Sequence, residues 1–320
     1  MSVRSQMFPP SPTFTEASLP SLSSRVYIIT GATSGVGLEL AKILYSSSAT
    51  VYIAARTSSR IASAIQTIQS EFPDSTGRLE SLSVDLSDLR TIAPAASEFL
   101  GKEFRLDGLV LNAGVMTPPE GSKTQNGHEL QMGTNCLGGY LLMRSLEDML
   151  VSTAKIAQKG TVRVVWLAST LQIGTPKGGI IWDESNTAPK VVSNQMENYM
   201  MSKVGNVFLA HETARRLGGE GVVSISVNPG FMKTELQRHM PGPVSFMMVS
   251  VLFGAYSELF GLLSPDVTSD RNGAFIVPWG RFGCLLEDIK QAVKSKEQGG
   301  TGTSEKFVEW CERETRGFRQ

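Results

Sequence analysis

The chain has 320 residues, 41% of them hydrophobic, with 30 basic and 30 acidic side chains and a formal charge of zero. That length supports a sizeable core, and the balanced charge gives no electrostatic case for a nucleic-acid or anionic-membrane partner. Three cysteines without CxxC spacing (Cys136, Cys284, Cys311) and three scattered histidines (His128, His211, His239) argue against a disulfide framework and a metal site, and fit a reducing, cytoplasmic setting.

Residues 1–24 are rich in Ser and Pro and lack the apolar run of a secretory signal, so they read as a flexible N-terminal arm. Strand candidates follow at 25–30, 50–55, 78–84, 107–112, 161–168, 222–228 and 274–279. Most are near-continuous in Val, Ile and Leu, the mark of strands buried on both faces of a parallel sheet. Helix candidates lie between them, near 36–47, 58–71, 88–101, 124–157, 200–217 and 285–295. The alternation predicts βαβ units wound into one α/β domain, a doubly wound parallel sheet of Rossmann type. The domain is expected over 25–284, with a C-terminal helix and polar tail over 285–320.

The apolar stretch 244–263 contains Glu258 and three serines. A span needs about 20 apolar residues, a charge at the bilayer centre costs roughly 3 kcal/mol, and spanning here would pull the sheet apart. The stretch is therefore expected to close a lid over 231–263, with 244–253 covering the pocket and a core-packed helix from Gly254. Phe246, Met247, Met248, Phe253 and Phe260 would line or cover an apolar pocket. A lid that also touches an intracellular membrane is the less favoured alternative.

Several short motifs carry chemistry. "TGATSGVG" at 30–37 follows the first strand and opens the first helix. Gly31, Gly35 and Gly37 allow a tight turn and close approach of backbone to phosphate, with Thr33, Ser34 and Val36 in the same loop. The helix N-terminus then offers N–H groups and positive dipole to a pyrophosphate. After the second strand, Ala55 stands where an acid for the ribose 2′-OH is expected, and Arg56 follows. A guanidinium matches a 2′-phosphate, which favours NADP(H) over NAD(H). Further on come Asp85 with Leu86 in "VDLSD", Asn112, Ala113 and Gly114 as "NAG", Asn135, Ser169 after a buried strand, and "VNPGFMKT" with Pro229, Gly230 and Thr234. Tyr199 and Lys203 sit four apart, on one face of a helix. Each is weak alone; a bland helix cap, turn hydroxyl or solvated pair explains any one of them.

In this order on this background, the chain resembles the short-chain dehydrogenases/reductases over about 25–279. The TGxxxGxG, NAG and YxxxK signatures stand intact, and the match is closest to the retinol-dehydrogenase-like branch, with "FPPSPTFTEASLP" and "NGAFIVPWGR" similar to its fungal members. The resemblance implies a catalytic tetrad of Asn135, Ser169, Tyr199 and Lys203. It also implies adenine contact at Asp85, backbone contact at 112–114 and nicotinamide contacts around Pro229, Gly230 and Thr234. Where the family commonly has two serines, this chain has "AST". The 30-residue step from Ser169 to Tyr199 includes "GGIIWDESN", similar to an insertion of the retinol-dehydrogenase-like group. That segment reshapes the substrate entrance and bears on the family's helix-mediated dimer, so monomer and homodimer both stay open.

The expected reaction moves a hydride between nicotinamide and a carbonyl carbon, with Tyr199 giving the oxygen its proton and Ser169 hydrogen-bonding the same oxygen. Lys203, together with the positive charge of the oxidised nicotinamide, is expected to lower the phenol from its ordinary pKa of about 10, and the resemblance adds that Lys203 holds the nicotinamide ribose while Asn135 steadies a water. The substrate is expected to be a lipophilic ketone, aldehyde or secondary alcohol. Two alternatives are a catalytically silent dinucleotide-binding regulatory protein and an epimerase or dehydratase acting on a nucleotide sugar. The complete tetrad speaks against the first, the single-domain length and apolar lid against the second.

Overall fold

A computed structural model describes residues 5–6, 8–169, 174–232 and 250–319. Seven parallel strands form the sheet: β1 (Val26–Thr30), β2 (Thr50–Ala55), β3 (Arg78–Ser83), β4 (Gly108–Leu111), β5 (Arg163–Leu167), β6 (Val223–Val227) and β7 (Phe275–Val277). A two-residue strand, β8 (Arg281–Phe282), adds antiparallel to β7. The order β3-β2-β1-β4-β5-β6-β7-β8 reverses between β1 and β4. In such sheets the crevice outside the carboxyl ends of the strands at that reversal is where ligands bind.

Alternate side chains of β1 feed two cores. Val26 and Ile28 face one apolar cluster, Tyr27 and Ile29 the other. The second cluster is covered by α1 (Gly35–Ser46), α2 (Ser58–Glu71) and α7 (Val251–Leu263). On the first lie α3 (Ile92–Leu100), α4 (Leu130–Met132, Gly133–Gly138 and Gly139–Ser145 in one run), α5 (Glu147–Ile156), α6 (Gln195–Leu217), α8 (Glu287–Val293) and α9 (Thr303–Thr315). Strands so enclosed must be apolar on both sides, which is why the near-continuous runs identified them.

Four expectations change. The 124–157 helix begins only at Leu130, passes through a π-helical stretch at Gly133–Gly138 and breaks at Leu146. The polar tail contains α9, whose Phe307, Trp310 and Cys311 are buried against α6. The arm is docked: Leu22 is buried, and Phe14 sets its ring edge-on to Phe260 at 6.1 Å. The core-packed helix expected from Gly254 is present but begins three residues earlier, at Val251, inside the part assigned to the lid, and its Phe260, expected at the pocket, lies in the core. Thr234, Phe246, Met247 and Met248 lie outside the described residues. Among the described residues no helix is long and apolar enough to cross a membrane.

Candidate active site

The turn after β1 is built around the Asn112 side chain. Its Nδ2 donates to Thr30 O at 2.8 Å, and Ala113 N donates to Thr30 Oγ1 at 3.0 Å, stitching the end of β4 to the end of β1. Gly31 (φ +69°) and Gly37 leave room for that amide: a Cβ would stand 3.0 Å and 2.5 Å from Asn112 Nδ2, respectively. Gly35 also has a positive φ, +60°. The N-cap of α1, Ser34, is extended, and its side chain makes no capping hydrogen bond among the described residues. The first-turn N–H groups therefore remain available to an anion. Val36 packs toward Gly254 of α7, where a Cβ would stand 2.8 Å from it. Thr33 is half-buried in the same turn. A side chain on Gly37 would collide with the Asn112 amide and Gly31 O, which shape this turn. Gly37→Ala is expected to weaken dinucleotide binding by at least about tenfold and to destabilise the fold by about 1–3 kcal/mol through overpacking. Gly219→Ala, whose Cβ would meet open space, should leave both unchanged; a cofactor titration and a thermal melt of each variant check this.

Asn135 lies in the π-helical stretch of α4, a distortion common at functional sites. Its Oδ1 accepts from Val115 N at 2.8 Å, while Nδ2 donates to Val115 O at 3.0 Å and to Ser202 Oγ at 2.9 Å. Ser202 Oγ in turn donates to Tyr199 O at 2.7 Å. Both amide hydrogens are engaged, and the side chain ties the 112–115 turn to α6. Gly114 fits between: a Cβ there would be 3.0 Å from Asn135 Oδ1 and 3.5 Å from Lys203 Nζ.

Tyr199 and Lys203 are both buried on α6, a helix capped by Asn194, whose Oδ1 accepts from Met196 N and Glu197 N. Lys203 Nζ lies 5.6 Å from the centre of the Tyr199 ring and donates to Leu167 O at 2.9 Å. Asn206 Nδ2, one turn on, donates to the same carbonyl at 2.9 Å. Leu167 ends β5 and Ser169, half-buried, follows two residues later, so this double contact ties the Ser169 turn to the Tyr199 helix. Burial raises the Tyr199 phenol above its ordinary value and lowers Lys203 to about 8. Desolvation is the cause of the phenol's rise, a direction opposite to the lowering expected from Lys203 and an oxidised nicotinamide together. Glu258 on α7 partly offsets the fall of Lys203 through its charge.

At the other end of the crevice, Arg56 is exposed just beyond β2. Asp85 caps its own turn, with Oδ1 accepting from Ser87 N at 2.9 Å and Ser87 Oγ at 2.7 Å. Leu86 packs its backbone where a side chain on Gly138 would collide. Beyond β6, Asn228 Oδ1 accepts from Gly230 N at 3.0 Å, and Gly230 (φ +94°) turns the chain after Pro229.

Sequence reasoning passed over Ser202, Asn206 and Glu258. Ser202 and Asn206 share the Tyr199–Lys203 helix at one-turn spacings, the only signal they gave. In the sequence, Glu258 stands out only as a charge that opposes membrane insertion.

The sequence profile for short chain dehydrogenases matches residues 25–242. A short-chain dehydrogenase/reductase of Neocamarosporium betae is 41% identical over 326 residues, covering 99% of this chain and 94% of its own. Another, from Phomopsis amygdali, is 42% identical over 322 residues, covering 98% and 96%. Among solved structures, an uncharacterized protein from Mycobacterium paratuberculosis matches with TM-score 0.68 at 25% identity, over 96% of this chain and 98% of that one. With the profile spanning the glycine turn, the Asn112 stitch and the Tyr199–Lys203 helix, and with relatives matched nearly end to end, the chain belongs to the short-chain dehydrogenase/reductase family.

Proposed function

We propose that the chain is an NADP(H)-dependent reductase of lipophilic ketones or aldehydes, which in reverse oxidises the secondary or primary alcohol. The family is one of oxidoreductases that bind nicotinamide dinucleotides. One observation carries the reading: a buried phenol and a buried ammonium stand on one face of α6, joined through Leu167 O to the Ser169 turn and through Ser202 to Asn135. The glycine turn, Asn112–Gly114 and the α1 N-terminus would hold the dinucleotide, and its nicotinamide supplies the hydride when bound. Asp85 and Leu86 would border its adenine, Pro229, Gly230 and Thr234 its nicotinamide.

Tyr199 Oη would carry the proton that passes to the carbonyl oxygen, and Ser169 Oγ would hold that oxygen in place. Burial keeps the phenol protonated, which is the form reduction needs. Lys203, near 8, supplies positive charge beside the phenol as the proton leaves, and would grip the nicotinamide ribose. Asn135 positions both through Ser202. An apolar substrate is supported by the apolar side chains around Gly230, where a Cβ would meet Met232 and Pro278, with Trp279 next in the chain and its ring tilted against Phe253 at 4.5 Å.

Arg56 supports NADP(H), since an exposed guanidinium beyond β2 suits a 2′-phosphate and no acid stands there for a ribose hydroxyl. A panel of lipophilic carbonyls run with NADPH and NADH tests the whole reading. Turnover is expected with kcat/KM at least about tenfold higher for NADPH, and Arg56→Ala should remove most of that preference, as one charge-assisted contact predicts. Cofactor binding with no turnover across the panel would point to the silent regulatory alternative.

A further inference from the structure

The N-terminal arm ends on the loop that carries Pro229 and Gly230. Gln6 is 6% exposed, and its Oε1 accepts a hydrogen bond from Asn228 Nδ2 at 3.3 Å across 222 residues of sequence. Ser5 O accepts from Arg281 Nη2 at 2.7 Å, and the Nε of that guanidinium donates to Pro278 O at 2.8 Å. Pro278 is the residue a side chain on Gly230 would meet, at 3.1 Å. Further along, Phe14 meets Phe260, and Glu16 hydrogen-bonds Tyr256.

Packing alone does not account for residues 5–6. Phe14 and Leu22 already anchor the arm to the second core, and ordering another eight or so residues costs conformational entropy. A Ser- and Pro-rich segment has little apolar surface to offset that cost. What the extra length adds is a polar contact, buried at both ends, to one particular side chain: Asn228 is 1% exposed. An asparagine amide has two faces, and which one meets Gly230 N matters. With Nδ2 engaged by Gln6, Oδ1 is left to accept from Gly230 N at 3.0 Å and to hold the left-handed turn there. Gly230 N requires Oδ1 toward it, and the Gln6 contact stabilises that same amide orientation from the other end.

We infer that the N-terminal arm is a positioning strap for the nicotinamide end of the site, with Gln6 setting Asn228 and Asn228 setting Gly230. The inference rests on the reading above, in which residues 229–230 border the nicotinamide. It gives the arm a role in the reaction without placing any of its residues in contact with substrate.

The test compares the full chain with Gln6→Ala, Gln6→Glu and a deletion of residues 1–10. NADPH affinity is read by fluorescence titration, KM and kcat on a carbonyl the parent reduces, and stability by thermal melting. Gln6→Ala is expected to raise the NADPH Kd and KM by about tenfold, the effect of breaking one buried polar contact, while Tm moves by no more than about 2 °C. The deletion should lose at least as much affinity. Gln6→Glu keeps an oxygen acceptor toward Asn228 Nδ2 and should recover most of the loss, which a merely structural role would not produce. If Gln6→Ala and the deletion keep Kd and KM within about twofold of the parent, the strap is overturned, whatever Tm does. A parent chain that binds no nicotinamide dinucleotide overturns the strap and the proposed function together, so the two failures are distinguishable.

Discussion

Tyr199→Phe is expected to fold normally, to bind NADPH with unchanged affinity, and to lose about 10²- to 10⁴-fold in turnover, the range that removal of a positioned general acid produces. The ring is 5% exposed and packed within α6, and the substitution keeps it while deleting only the oxygen. Burial holds that oxygen protonated, so in the proposed reduction the proton is in place before the carbonyl arrives. Without it the oxyanion formed by hydride delivery has only Ser169 to stabilise it. Lys203 adds a pH signature. With its ammonium near 8, the parent's kcat/KM for reduction should fall as pH rises past that value, because the charge assisting proton release is then lost. Phe at 199 with parent-like turnover on every carbonyl in the panel would remove the phenol from the chemistry.

Which parts of this site could be read in advance follows from how far each contact reaches. The glycine turn, Asn112–Gly114 and the Tyr199/Lys203 spacing are local patterns, and continuous apolar runs mark β1, β2 and β4 to β7, which are enclosed on both faces, whereas β3 is largely exposed. Contacts that close over long separations left no such trace. Leu167 O gathers Lys203 and Asn206 across 36 and 39 residues, and nothing in "RVVWLAS" announces that its last leucine carbonyl is a hub. The C-terminal helix did leave a signal: Phe307, Trp310 and Cys311 recur at i, i+3 and i+4 within an otherwise charged segment. The arm was misjudged for a different reason. Composition predicted disorder, but Leu22, Phe14 and Gln6 each meet a partner supplied by another part of the fold. The direction of the Tyr199 shift was likewise hidden, since burial, not the neighbouring charge, decides it.

Glu258 carries the second large effect. It is fully buried on α7, and neither carboxyl oxygen has a hydrogen-bond partner among the described residues. Its helix neighbours Ala255, Leu259 and Leu262 belong to the apolar core, and burial pushes the carboxyl up to about 8, with the Lys203 charge pulling the other way. An acid whose folded pKa is raised keeps its proton in the native state after the unfolded chain has released it. Stability is therefore full below about pH 4.5 and falls as pH rises toward 8, beyond which the loss levels off. At pH 7 the penalty amounts to about 3 kcal/mol. Glu258→Gln and Glu258→Met should both melt several degrees above the parent at pH 8, with the gap closing toward pH 5. Parallel melting across that range would show that Glu258 has an ordinary carboxyl. The same substitutions take away the negative charge that favours protonated Lys203, so the alkaline limb of reduction should move to lower pH in the stabilised variants. Glu258 and Lys203 act on each other only through charge, since α7 packs in the second core and α6 in the first, so the shift of the alkaline limb should be smaller than the gain in melting temperature.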